Sequence, residues 1–184
     1  MLKTSHHFGL GKAMPDFALP DTVSKEIIRP HHVPVFKAYV LLFICNHCPY
    51  VKHIIPALTQ LSQKWHGNDF CFFAISANDP VEYPADSPEN MCELANNEGW
   101  KFPYLFDETQ QVYQQFGIVC TPEIMVFSAE KSCLYHGRFD ATTPGSGIKA
   151  DGEDLAQVLS DIDAGAPLSV DQLPSMGCSV KWRN

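Results

Sequence analysis

The run Tyr39-Val40-Leu41-Leu42-Phe43-Ile44 is uninterruptedly apolar and ends on Cys45-Asn46-His47-Cys48-Pro49. An apolar run without alternation predicts a strand buried on both faces, as parallel strands are. After Pro49 the period changes. Val51, Ile54, Ile55, Leu58, Leu61 and Trp65 recur at intervals of three and four, which predicts one face of a helix over residues 49–66. Pro49 suits the first turn of that helix, where a missing N–H costs nothing. A C-x-x-C pair is thereby placed between a core strand and a helix N-terminus. The unpaired N–H groups and positive dipole end of such a terminus stabilise a thiolate, which is the nucleophilic form of cysteine.

The rest of the chain alternates in the same way. Residues 1–37 carry Gly9, Gly11, Pro15, Pro20, Pro30 and Pro34, which predicts an irregular N-terminal arm with a short strand near Val23–Ile28. Residues 69–77 read as a second buried strand, and 78–90 as a long loop containing Asn78, Asp79, Asp86 and Asn90. A helix over 88–98 follows, with Ser87 or Asp86 as its cap and Gly99 as its stop. Residues 102–106 predict a strand, 108–116 a helix, 123–127 and 133–137 a strand pair, and 151–164 a helix facing inward through Leu155, Val158, Leu159 and Ile162. The last twenty residues carry no periodicity and read as irregular. The order β-α-β-α-β-α-β-β-α predicts an α/β fold in one domain over 1–184: an arm 1–37, a core 38–165 and a tail 166–184. A C-x-x-C after the first core strand of such a pattern reads as thioredoxin-like. The expected architecture is a central mixed sheet with parallel core strands and a terminal antiparallel pair, flanked by helices.

Composition narrows the function classes. At 184 residues and 45% hydrophobic, the chain can bury a sizeable core. A net charge of −8 argues against nucleic acid as a partner, because phosphate binding needs a basic patch. No apolar run reaches membrane-spanning length, and the opening Met1-Leu2-Lys3-Thr4-Ser5 lacks the apolar centre of a secretory signal. A cytoplasmic protein without a membrane partner is therefore expected, as a monomer or homodimer. Seven cysteines do not suggest a secreted disulfide framework. Cys71 and Cys133 sit among apolar residues and are expected to be plain core cysteines. The pairs His6-His7 and His31-His32 are expected at the surface, since adjacent side chains seldom converge on one ion.

Several motifs together resemble the thioredoxin superfamily, and within it the alkyl hydroperoxide reductase/thiol-specific antioxidant branch. The opening Gly11-Lys12-Ala13-Met14-Pro15-Asp16-Phe17-Ala18-Leu19-Pro20-Asp21 is similar to that branch. Phe43-Ile44-Cys45-Asn46-His47-Cys48-Pro49-Tyr50-Val51 and the tail Gly177-Cys178-Ser179-Val180-Lys181-Trp182 resemble a peroxiredoxin-like subgroup. Thr121-Pro122 stands where the superfamily keeps its cis-proline loop. The resemblance spans about residues 9–165. One departure is informative. Aligned on Cys48, the Thr of the peroxiredoxin P-x-x-x-T-x-x-C motif is replaced by Cys45, and its Pro by Leu41.

The resemblance implies dithiol–disulfide chemistry with no cofactor. Cys45 is expected to be the more exposed, attacking sulfur and Cys48 the resolving one. A protonated His47 is expected to lower the Cys45 pKa and make the couple more oxidising. Thr121 and Pro122 are expected to bind an extended substrate by strand addition. Cys120, beside the substrate-binding Thr121 and Pro122, has two readings: a small buried residue, or a third redox partner or metal ligand close to the active sulfurs. Cys178 is a candidate resolving thiol, and Arg138 a candidate thiolate partner or a surface ion pair. The partners implied are a protein or small-thiol disulfide and a cellular thiol reductant. Two other functions use the same residues. One is a thiol peroxidase with Cys45 or Cys48 oxidised to a sulfenic acid. The other is a Cu(I) or Zn protein using Cys45, Cys48 and His47 or Cys120, weakened because only two thiols stand at one site and no second C-x-x-C is present.

Overall fold

The computed structural model describes residues 1–6 and 8–183. His7, one half of the His6-His7 pair, lies outside the described residues. After three short strands, β1 (Leu2–Thr4), β2 (Leu19–Pro20) and β3 (Ile27–Ile28), strand β4 (Ala38–Phe43) is the spine of the fold. Its six residues are all fully buried. Odd and even positions feed two separate cores, which is why the run shows no polar alternation. Val40 and Leu42 pack with Val51, Ile54 and Leu58 of helix α1 (Pro49–Trp65) and with Leu155, Val158 and Leu159 of a C-terminal helix (Glu153–Asp163). Tyr39, Leu41 and Phe43 pack on the other face with Met14, Phe17 and Leu19 of the N-terminal arm and with Val112, Tyr113 and Phe116.

β4 pairs in parallel with β5 (Phe70–Ser76), which pairs in parallel with β6 (Tyr104–Phe106). On its other edge β4 pairs antiparallel with β7 (Glu123–Ser128), and that with β8 (Cys133–Gly137). The result is a five-stranded mixed sheet of order β6-β5-β4-β7-β8, with helices on both faces. Helix α2 (Pro88–Asn97) starts where Ser87 Oγ accepts the Asn90 N–H, so Ser87 is the cap. Helix α3 is Gln111–Phe116, shorter than the expected span, and Glu153–Asp163 is α4. Among the described residues no helix is long and apolar enough to cross a membrane.

Two expectations need correction. The arm holds a two-residue strand, Ile27–Ile28, rather than a strand from Val23. Asp21 accepts the Val23 and Ser24 N–H groups and turns the chain there. The tail is not irregular throughout. Met176–Ser179 forms β9, sandwiched antiparallel between Leu2–Thr4 and the short strand Cys120–Thr121. This small three-stranded sheet lies beside the C-x-x-C and is built from three distant parts of the sequence.

Candidate active site

The end of β4 delivers Cys45, and Cys48 caps the N-terminus of α1. Opposite them stands Thr121, whose peptide bond to Pro122 is cis. Thr121 meets both sulfurs. Its Oγ1 is 3.3 Å from Cys45 Sγ, and its carbonyl oxygen accepts the Cys48 thiol at 3.2 Å. Tyr113 donates its hydroxyl to the Ile75 and Ile44 carbonyls, which fixes the strand end just before Cys45.

A carboxylate that composition alone did not single out organises the loop between the cysteines. Asp86 comes from one turn of 3-10 helix, Pro84–Asp86, inside the long 78–90 segment, and it has no solvent exposure. Its Oδ1 accepts the Asn46 and His47 backbone N–H groups at 2.7 and 3.0 Å. Its Oδ2 accepts Asn78 Nδ2 at 2.8 Å and pairs with His47 Nδ1. Asn78 Oδ1 in turn accepts the Lys181 N–H from the tail. Tyr83 stacks on the His47 ring, with centroids 4.9 Å apart, and Tyr104 donates to Asn46 Oδ1. The sequence signals for Asp86 are its place in a long polar loop and its position as a candidate cap, a role that Ser87 takes instead.

These contacts correct three expectations. Cys45 is not an exposed sulfur. Cys45 and Cys48 are 1% and 0% exposed, because His47 and Thr121 close over them. The net Cys45 pKa is not lowered, contrary to the expectation from a protonated His47. The His47 Nδ1 is committed to Asp86 and stays 4.0 Å from Cys45 Sγ. The Cys45 thiol is instead pushed well up, by its interaction with the Cys48 thiol, by burial and by the Asp86 charge, against a smaller downward pull from Thr121. Cys48 is drawn down by the Cys45 thiol, the Cys178 thiol and the Val51 amide, while the Thr121 carbonyl at 3.2 Å requires a proton on the same sulfur. Of this coupled pair, the upward direction at Cys45 is the one that burial and neighbouring charge both demand.

The third correction concerns substrate binding. The backbone edge of Thr121 is not open for strand addition, because Cys178 of β9 pairs with it. Gly177 makes this approach feasible: a Cβ there would lie 2.0 Å from the Thr121 carbonyl oxygen. Cys178 is half-buried and its thiol interacts with that of Cys48. Cys120 does not face a substrate. It is fully buried, with Sγ 3.6 Å from Glu123 Oε2, and burial followed by the Glu123 charge pushes its thiol far up. Glu123 also pairs with His136 at 2.7 Å in the interior. Arg138 pairs with Asp154 rather than with a sulfur. A pocket of about 330 Å³ opens beside Tyr50, Pro122, Arg138 and Met176, and no cysteine lines it.

Among the described residues one cluster has metal-ligand types, Cys45, His47 and Asp86, with ligand atoms within 4.8 Å of one another. An ion there would have to displace His47 from a carboxylate whose two oxygens already hold four donors. Cys71 and Cys133 are buried core residues. His31 and His32 are exposed.

Comparison with known proteins places the chain by family and fold. No functionally curated protein matches the chain. An uncharacterized conserved protein from Geobacillus kaustophilus is 40% identical, with a TM-score of 0.95 over 100% of this chain and 97% of that one. A hypothetical protein from Sinorhizobium meliloti 1021 is 32% identical, with a TM-score of 0.93 over 98% of each chain. Peroxidoxin BcpB from Mycobacterium tuberculosis shares the fold at 19% identity, with a TM-score of 0.63 over 86% of this chain and 98% of that one. The AhpC/TSA family model matches residues 10–136. With its thioredoxin-like fold and its paired cysteines at the strand–helix junction, the chain belongs to the AhpC/TSA family of thiol-based redox proteins.

Proposed function

We propose that this protein is a thiol–disulfide oxidoreductase that cycles Cys45 and Cys48 between dithiol and disulfide, working as a reductase of small disulfides. The observation that carries the reading is the pairing of both sulfurs with Thr121. One residue of the cis-proline loop holds two thiols side by side, as a dithiol couple requires and a single peroxidatic cysteine does not. The Cys48 thiol, burial and the buried Asp86 charge oppose a thiolate on Cys45. A thiolate disfavoured at that sulfur supports the reducing direction of the cycle. Small substrates are favoured because β9 fills the edge that an extended chain would use. The peroxidase reading is weaker on two counts: Cys45 replaces the peroxide-positioning Thr, and Arg138 is held by Asp154.

The test is turnover of a small aromatic or alkyl disulfide with a thiol donor. Cys45→Ser is expected to abolish turnover, and Cys48→Ser to accumulate a mixed disulfide on Cys45. Undiminished turnover in Cys45→Ser, or peroxide consumption outpacing disulfide reduction in the wild type, would sink the reading.

A further inference from the structure

The two sulfurs of the C-x-x-C are sealed, at 1% and 0% exposure, yet a redox couple must exchange electrons with the outside. Cys178 is the half-buried thiol beside them. It stands in register with Thr121, the residue that binds both other sulfurs, and packs on the same core as Cys45 and Cys48. Met176, two residues earlier on the same face of β9, lines the pocket that also touches Pro122 and Tyr50. The close approach is built into the backbone, since any side chain at Gly177 would collide with Thr121.

We propose that Cys178 is a third redox thiol, which carries the disulfide from the sealed Cys45–Cys48 pair to the surface, where a small thiol reductant meets it. This rests on the dithiol cycle proposed above. In the oxidised protein the Cys178 thiolate attacks Cys48 Sγ. The Cys45–Cys48 bond breaks and a Cys48–Cys178 bond forms. Cys45 leaves as a thiolate and takes up the proton that Cys178 gave away, so the exchange involves no net oxidation. Two molecules of thiol reductant then attack in turn, first at the Cys178 sulfur. They leave as one small disulfide and return two electrons and two protons to the protein. Oxidation of Cys48 itself favours the first step. The reduced Cys48 is one of the groups holding the Cys178 proton, whereas Lys181 pulls the other way and remains.

The experiment is disulfide mapping by mass spectrometry on the full chain. Cys45→Ser, treated with one equivalent of diamide, is expected to close an intramolecular Cys48–Cys178 bond. Cys178→Ser is expected to close Cys45–Cys48, but to be re-reduced by glutathione at least about tenfold more slowly than the wild type, since attack is then confined to buried sulfur. The proposal is overturned if Cys45→Ser yields only adducts or intermolecular dimers. It is also overturned if Cys178→Ser is re-reduced at the wild-type rate. In both cases a Cys45–Cys48 bond in the wild type leaves the dithiol reading standing. A wild type that forms no such bond removes both.

Discussion

Asp86 is a fully buried carboxylate whose charge reaches Cys45, and it does two things at once. Its oxygens tie down the backbone of Asn46 and His47, so the span between the cysteines has one shape. Its charge also discourages a thiolate on Cys45. Asp86→Asn separates the two effects. The amide keeps an oxygen for the two backbone donors but presents N–H to Asn78, and the loss is expected to be about 1–3 kcal/mol of stability. The Cys45 pKa, held up in part by that charge, is expected to fall. The pH profile of thiol alkylation should then move to lower pH, with faster reaction near neutrality. An unmoved profile would mean that burial alone sets Cys45. Most of this was illegible in the sequence. Cys45 and Cys48 announce themselves by spacing, and His47 and Thr121-Pro122 by the family resemblance. A carboxylate 38 positions beyond Cys48 becomes part of the site only when β5 and the 78–90 segment fold back over it.

At the scale of elements, what could be read was what repeats. α1 and α4 show their apolar faces at helical spacing, and β4 and β5 show continuous apolar runs, so their spans match to within a few residues. β9 has four residues, Met-Gly-Cys-Ser, with neither alternation nor β-branched side chains. Its existence depends on a partner more than fifty residues upstream along one edge and on the N-terminal arm along the other. Gly177 is the residue on which this docking turns. Gly177→Ala would place a Cβ 2.0 Å from the Thr121 carbonyl oxygen and 2.6 Å from its carbon. Both are backbone atoms that no rotamer change can move. The strand should therefore lift from the cis-proline loop, at a cost of about 1–3 kcal/mol. With it loosens Thr121, which closes over the dithiol, so a bulky aromatic disulfide reagent is expected to react faster with Cys45 and Cys48. A variant as stable as the wild type with unchanged thiol accessibility would show that β9 does not gate the site.

Across the whole molecule, sulfur is mostly a core-filling atom, and this has a consequence for stability against pH. Cys71 and Cys133 lie in the core on the α3 side of the sheet. Burial pushes the Cys71 thiol from an ordinary value of 9.0 up to about 12, and Cys133 up to about 11. Cys120 moves the same way. In each case the folded protein holds the proton more tightly than the unfolded chain. The stabilisation is therefore complete below about pH 9 and is lost as pH rises toward 11 or 12, at up to about 1.4 kcal/mol per pH unit for each thiol. The buried Tyr104 and Tyr113 act in the same direction from about pH 10 upward. Urea midpoints of the reduced protein are expected to be flat between about pH 7 and about pH 8.5 and to fall steeply above that. The double variant Cys71→Ala, Cys133→Ala should be less stable at neutral pH, because it leaves two small cavities, yet its stability should fall less steeply between about pH 9 and about pH 11. Parallel curves for the two proteins would place the alkaline transition in Cys120, the tyrosines or the Cys45–Cys48 pair. Repeating the measurement on protein oxidised at Cys45–Cys48 separates that pair from the rest, since a disulfide has no proton to lose.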